Sequence, residues 1–448
     1  MPGRVLVVSP RFWPEDVKAN DVCRSLNRKG WNVDCICGQP NYPLGRFFKG
    51  YGSFGHKIEK HGKTHIYRTA EARRGAGSGF QVMMNYLVFA CLSKGKARRM
   101  KRRKYDAVLV YQNAPVSAIS AGAKVARAQN IPLLTFVIDL WPDSFYREMD
   151  MHSPLLRKIT ARISRKNYMK SDKLFVLNQD TYDYFTKELQ VAQHRVDVLP
   201  LGPSGACVSD KCGIDIRERF TGGFNIVIYD EALRRQDLKT LVDMAVMIRS
   251  AALGDIRIVL VCGGADTTEL LKQISKKGIG DILFVESLED YGRHGEYCVV
   301  ADAFLSCEKT DSGDRYSSPE DIIDYMSSGL PVILAGDGEG KRLVRESKCG
   351  FTCDPEDAQG LFDAVVRLYG TPRQMRIQMS RGGLEYQQRY FNWDDIADRI
   401  IGEMEGTPGD GDGFVVTSDQ TVKTDDIFTD DSFEETDSAG IVPEEEPD

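Results

Sequence analysis

Residues 317–333, SSPEDIIDYMSSGLPVI, open a helix with carboxylates where a phosphate-binding site would carry the opposite charge. Ser317 or Ser318 can cap, Pro319 suits the first turn, and an amphipathic run follows. A helix start presents free N–H groups and partial positive charge, the usual place to hold a phosphate. Glu320 and Asp321 fill that turn, complement the dipole themselves and would repel a phosphate.

A second group of polar residues lies near the N-terminus. Glu15, Asn20 and Asp21 follow the first apolar run, at the end of a strand where ligands bind in parallel sheets. Asn41 and Tyr42, between prolines, read as a rigid, exposed turn. Asp139 closes another apolar run, and Asp143 follows Trp141-Pro142. Carboxylates so placed can take a proton from an attacking hydroxyl. The plainer alternative is that Asp139 and Asp143 only cap the segment that follows. The six histidines show no metal spacing: His61 and His65 are four apart, but KHGKTHIYR reads as a turn into a strand. Eleven scattered cysteines without a CxxC pair, and no signal peptide, imply free thiols in a reducing cytoplasm.

The elements that must position these residues alternate. RVLVVSP (4–10), YDAVLVYQ (105–112), IPLLTFVID (131–139), SDKLFVLN (171–178) and RVDVLPLG (195–202) read as strands with helical stretches between. The pattern restarts with FNIVIYD (224–230), IRIVLVCGG (256–264), ILFVES (282–287), ADAFLSCE (301–308) and LPVILAGD (330–337). This is an α/β chain of two doubly wound, Rossmann-like domains with a central cleft. The expected divisions are an acceptor-side domain at 1–202, a linker at 203–222 and a donor-side domain at 223–390. A helix at 391–405 should pack back toward the first domain. Residues 406–448 hold 14 Asp/Glu against the single Lys423 and lack apolar periodicity, which predicts a disordered acidic tail. The tail's net −13 leaves the remaining chain basic, at +7.

The chain resembles the GT-B glycosyltransferases of family 4, in particular bacterial enzymes that build surface polysaccharide on lipid-linked carriers. The resemblance covers about residues 4–404 and is carried by SPRFWPEDVKANDV, GQPNYPLGRFFKGY and DLWPDSF. It implies sugar transfer, with Asp139, Glu15 and Asp21 as catalytic candidates and Asn20, Asn41, Tyr42, Trp141 and Asp143 facing the acceptor. It implies no cofactor and no metal, with a nucleotide sugar as donor substrate if the protein is active. On the donor side the family carries a Gly-rich turn, where Asp230 and Leu233 stand here in place of two glycines. Arg234 keeps the basic position, and Gly263 and Gly264 resemble the family's second glycine turn. The family's Pro-Ser-Lys becomes Pro319-Glu320-Asp321. Asp324 occupies the place of a ribose-contacting carboxylate, whose usual companion is Tyr316 here. A side chain in place of glycine blocks backbone approach or forbids a positive φ, and Lys to Asp reverses a charge beside the phosphate.

Three functions remain open on these residues. The first is a degenerate member serving as partner or regulator, and the second is an active, retaining glycosyltransferase. The third is an interaction module whose acidic tail 406–448 docks a basic protein partner or folds back on the basic helices. Residues 80–104, with eight Lys/Arg among 94–104, and 155–173 form basic amphipathic stretches. Both suit an anionic membrane surface bearing a lipid-linked glycan. No run is long and apolar enough to span a bilayer, so the expected place is cytoplasmic, peripheral on the inner face of the membrane. Nucleic acid is not expected, because no interleaved aromatics accompany the charge.

Overall fold

Continuous apolar runs such as RVLVV suit strands covered on both faces, and the computed structural model places them so. It describes residues 3–406 apart from 43–44, 56, 74–78, 149–151, 206, 210, 231–232, 234–235, 264–265, 289–290 and 311–318. The acidic tail expected at 406–448 therefore lies outside the described residues, save Gly406.

The first sheet contains β1 (Arg4–Val8), β2 (Asn32–Cys37), β3 (Ile58–His61), β4 (Thr64–Arg68), β5 (Ala107–Gln112), β6 (Leu133–Val137), β7 (Lys173–Val176) and β8 (Val196–Val198). Its order is β3-β4-β2-β1-β5-β6-β7-β8, parallel except for the β3–β4 pair. KHGKTHIYR thus forms a hairpin that adds an antiparallel edge strand, rather than a turn into a single strand. Its helices are α1 (Ala19–Arg28), α2 (Gly79–Met100), α3 (Ile119–Gln129), α4 (Asp143–Glu148), α5 (Pro154–Tyr168) and α6 (Gln179–Asp183).

The second sheet, β9 (Phe224–Tyr229), β10 (Ile256–Cys262), β11 (Leu283–Ser287), β12 (Ala303–Cys307), β13 (Val332–Ala335) and β14 (Gly350–Cys353), is parallel in the order β11-β10-β9-β12-β13-β14. Its helices are α7 (Ile214–Phe220), α8 (Leu238–Ser250), α9 (Thr268–Lys277), α10 (Glu320–Ser327), α11 (Gly338–Ser347), α12 (Ala358–Gly370) and α13 (Arg373–Tyr390). In each sheet the strand order reverses beside the first strand of the domain, at β1/β5 and β9/β12. Loops leaving the carboxyl ends there form the crevice of such folds.

A last helix, α14 (Trp393–Glu405), returns to the first domain: Ile396, Ala397, Ile400 and Met404 are buried in the core beneath β1 and β5. Its cap is Asn392, whose side chain accepts the Asp394 N–H at 2.8 Å. Trp393 Nε1 donates to the Pro203 carbonyl at 2.7 Å, and Gly202 passes so near that a Cβ there would meet the indole at 2.7 Å. The segment joining the domains is thereby pinned at its first residues.

Candidate functional site

α10 starts directly at Glu320. Pro319 occupies the cap position with no side-chain cap, not the first turn, and Ser317 and Ser318 lie outside the described residues. The first turn is acidic, as its residues dictate, and Gly329 closes the helix end at φ +70°. Tyr325 fixes the helix to the sheet: its hydroxyl accepts the Tyr229 N–H at 2.9 Å, and its ring stacks on Phe304 at 4.5 Å. The helix is thus held against β9 and β12, the two strands at the switch point of the second sheet.

A cation from the other domain meets these carboxylates. Lys18, buried just ahead of α1, sets its ammonium 3.5 Å from Glu320 Oε2 and 3.5 Å from Asp324 Oδ1. Asp324 Oδ1 also accepts the Ser204 N–H at 2.7 Å, and Oδ2 accepts the Ser204 hydroxyl at 2.9 Å. Both oxygens of the expected ribose contact are therefore engaged within the protein. Each Lys18 pair is worth about 4–5 kcal/mol at an effective dielectric of 20, comparable with the cost of drying one ion. Burial alone would push the Lys18 ammonium down, but Asp324, Glu320 and Asp321 outweigh it and hold it above its ordinary value. Burial pushes Asp324 up, against the pull of Lys18 and Ser204, with Glu320 adding to the rise.

After β9, three residues in and just after the segment that the resemblance matches to the glycine turn are described: Asp230, Leu233 and Gln236. Leu233 takes φ +52°, so a side chain there does not forbid the left-handed backbone; it costs about 1–2 kcal/mol instead. Asp230 is buried and accepts the Gln236 N–H at 3.2 Å, while Leu233 N–H donates to the Asp230 carbonyl at 3.3 Å. Gln236 is buried and accepts the Cys307 N–H at 2.7 Å, tying the turn to β12. Gly263 is buried where β10 ends. Arg234, Gly264 and Tyr316 lie outside the described residues.

In the first domain the expected acceptor residues separate into two knots. Glu15 is buried and spends both oxygens on backbone: Oε1 accepts Asn41 N–H and Tyr42 N–H, each at 2.8 Å, and Oε2 accepts Phe12 N–H at 3.3 Å. Asn20 ties the same loop, accepting Trp13 N–H at 2.9 Å and donating to the Glu15 carbonyl at 2.8 Å. Asn41 is 5% exposed, because the Glu15 carboxylate draws this turn inward; the expected exposed turn is not what forms. The Arg11 guanidinium lies over the Tyr42 ring at 3.8 Å.

The other knot holds Asp139, Trp141 and Asp143. Trp141 Nε1 donates to Asp139 Oδ2 at 3.1 Å, and the Trp141 ring, 8% exposed, stacks on Phe145 at 4.5 Å. That ring face packs on protein. Asp143 is the first residue of α4 and puts a carboxylate in its first turn.

Asp21 differs from its neighbours. It is buried at the first turn of α1 and accepts from Arg24 Nη1 at 2.6 Å. Burial pushes its carboxyl up to about 6, Arg24 and Lys18 working against the rise and Asp16 and Asp324 with it. Lys18, Ser204 and Tyr325 were not singled out from sequence. The one available signal was a lone lysine in the acidic stretch PEDVKAND. Among the described residues, no group of three or more His, Cys, Asp and Glu could hold a metal ion.

Comparison with known proteins adds the following. Residues 16–202 match the family model of the glycosyl transferase 4-like domain, and residues 225–371 that of the glycosyl transferases group 1. A sucrose synthase from Denitrovibrio acetiphilus is 32% identical over 84 residues, which span 18% of this chain and only 11% of that protein. Sucrose-phosphate synthase from Thermosynechococcus elongatus superposes with a TM-score of 0.65 at 15% identity, over 90% of this chain and 98% of its own. Anabaena Alr3699/HepE, solved with UDP-glucose, gives 0.60 at 13% identity over 90% and 100%. An α,α-trehalose-phosphate synthase (UDP-forming) from Burkholderia xenovorans, solved with glucose-6-phosphate, gives 0.63 at 13% over 90% and 100%. At such identities the likeness of the solved structures is one of fold.

Two predictions follow from the site. Lys18→Met leaves Glu320 and Asp324 without their buried cation and should cost about 3–5 kcal/mol in urea unfolding. Adding Asp324→Asn should recover part of that loss; equal instability of the single and double variants would contradict the pairing. Asp21 has a raised carboxyl, so its contribution to stability is present near pH 4 and lost as pH rises through about 6. Relative to Asp21→Asn, the wild type should therefore lose up to roughly 3 kcal/mol of stability between pH 4 and 7.

Proposed function

The chain belongs to the GT-B glycosyltransferases built from a glycosyl transferase 4-like domain and a glycosyl transferases group 1 domain, and from that premise we propose that its nucleotide-sugar site is closed. On this reading it is a catalytically impaired partner or regulatory subunit in the assembly of a surface polysaccharide or related glycan. The observation that carries it is the cluster of Lys18, Glu320, Asp324 and Ser204 at the start of α10. A donor pyrophosphate brought to that helix start would meet Glu320 and Asp321, each repelling a unit charge at 4 Å by about 4 kcal/mol at a dielectric of 20. It would also have to displace a lysine already committed to two carboxylates. Leu233 adds a side chain where the same turn needs close backbone approach.

A second reading, an active retaining glycosyltransferase moving a sugar from a nucleotide donor to a lipid-linked glycan, draws on one observation. Asp21, with a carboxyl near 6 and within the field of Lys18 and Asp324, has the protonation range of a general base.

Either role is compatible with a peripheral place on a membrane. No helix among the described residues is long and apolar enough to cross one. Instead Leu87 and Leu92 on α2 and Leu155, Leu156, Ile159 and Ile163 on α5 are exposed. They lie in helices rich in Lys and Arg, a pattern suited to an anionic interface.

Calorimetry against UDP, UDP-glucose and GDP-, dTDP- and CMP-sugars tests the main reading. No binding at millimolar ligand is expected of the wild type. Glu320→Ser with Asp321→Lys, Asp230→Gly and Leu233→Gly should then gain nucleotide binding. Micromolar binding of any of these ligands by the wild type would overturn the closed site and favour the second reading.

A further inference from the structure

Away from the cleft, α2 and α3 pack side by side and the chain leaving α5 crosses beside them. Lys94 lies on the last part of α2 and Lys101 directly follows its end, seven positions on. Ser120, Lys124 and Arg127 occupy one stripe of α3, and Lys170 follows the end of α5. These six side chains line one cavity of about 440 Å³, and no carboxylate lines it among the described residues.

The cavity is built rather than accidental. Lys170 Nζ donates to Ser120 Oγ at 2.5 Å and to Asn167 Oδ1 at 2.7 Å, and Ser120 Oγ donates to the same Asn167 oxygen at 2.7 Å. Neutral oxygens thus hold one ammonium in place while four further cations converge on it. Burial first, then Lys94, Arg127 and Lys166, push the Lys170 ammonium down to about 8. Lys124 is lowered in the same way, by desolvation and by Arg98, Lys101 and Lys94. Five like charges around one space repel each other, and a multiply charged anion removes that repulsion.

We propose that this cavity binds a phosphate monoester or pyrophosphate group. The oxygens of such a group accept several charge-assisted hydrogen bonds at once, which a single carboxylate cannot match over this volume. The exposed apolar residues of α2 and α5 flank the cavity's helices, so the group can be carried on a membrane lipid or arrive on a soluble molecule. The site lies outside the interdomain cleft and does not depend on whether that cleft takes a nucleotide.

The test uses the full chain and two probes. Inorganic pyrophosphate is titrated calorimetrically at pH 8, in buffers of different ionisation enthalpy. Vesicles of phosphatidylcholine doped with phosphatidic acid are compared with vesicles doped with phosphatidylserine at matched surface charge. The wild type should bind pyrophosphate with uptake of roughly half a proton by Lys170. Lys124→Glu/Arg127→Glu should weaken binding tenfold or more, and Lys170→Met should abolish the proton uptake. Lys272→Glu/Lys276→Glu on α9 changes the net charge equally and should leave both unchanged. Circular dichroism and melting verify that the variants fold; Lys101→Glu stands in where one does not.

Preference for phosphatidic acid that is lost in the cavity variants assigns the group to a lipid. Pyrophosphate binding without that preference assigns it to a soluble ligand. The proposal is overturned if neither pyrophosphate binding nor a phosphatidic acid preference responds to the cavity variants. Indifference to both vesicles would defeat the membrane placement alone, since the pyrophosphate arm does not involve a membrane. Nucleotide binding in the cleft would likewise leave the cavity variants' effect unchanged.

Discussion

One buried ammonium ties the two domains at the point where their strand ends face each other. Lys18 comes from the loop after β1, Glu320 and Asp324 from the helix after β12, and Ser204 from the segment that joins the domains. Remove the cation and two carboxylates lie in poor solvent beside a third, Asp321. Keep it, and the start of α10 has its charge balance supplied from inside the protein. A phosphate at the same place would need the opposite arrangement, with cations on the helix and no carboxylates. On the closed-site reading proposed above, the contact that fills this switch point also joins the two domains.

The first domain shows a related economy. Glu15, whose place after β1 suits a catalytic base, uses both oxygens to seat the backbone at Asn41 and Tyr42. Trp141 stacks its ring on Phe145, and its indole N–H donates to Asp139. Burial accounts for both: a polar group removed from water must find partners, and in these loops the nearest partners are the loops themselves. Asp21 is the exception, a buried carboxyl on the cleft side of α1 with its ionisation moved toward neutral pH.

The strands were legible because each is an uninterrupted apolar run bounded by turn residues, and both sheets follow from their alternation with helices. The donor-side departures were legible for a different reason: Asp230, Leu233, Glu320 and Asp321 differ by charge or size from the residues that the resemblance leads one to expect there. What compensates them was not. Lys18 reaches Asp324 across 306 positions of sequence, and no local pattern signals such a pairing. The turn at Asn41 was misjudged because prolines mark a rigid loop but do not say whether a distant carboxylate draws it inward. Leu233 was misjudged in one respect only: a leucine does take the positive φ there, its N–H bonded to the Asp230 carbonyl.

Amide hydrogen exchange at residues 320–324 and 204, with and without saturating UDP-glucose, probes the start of α10 directly. If the Lys18 cluster fills the phosphate position, exchange there is slow in the free protein and unchanged by the nucleotide sugar. New protection of the α10 amides on addition of UDP-glucose would contradict it, because it would put a phosphate where Glu320 and Asp321 now meet Lys18.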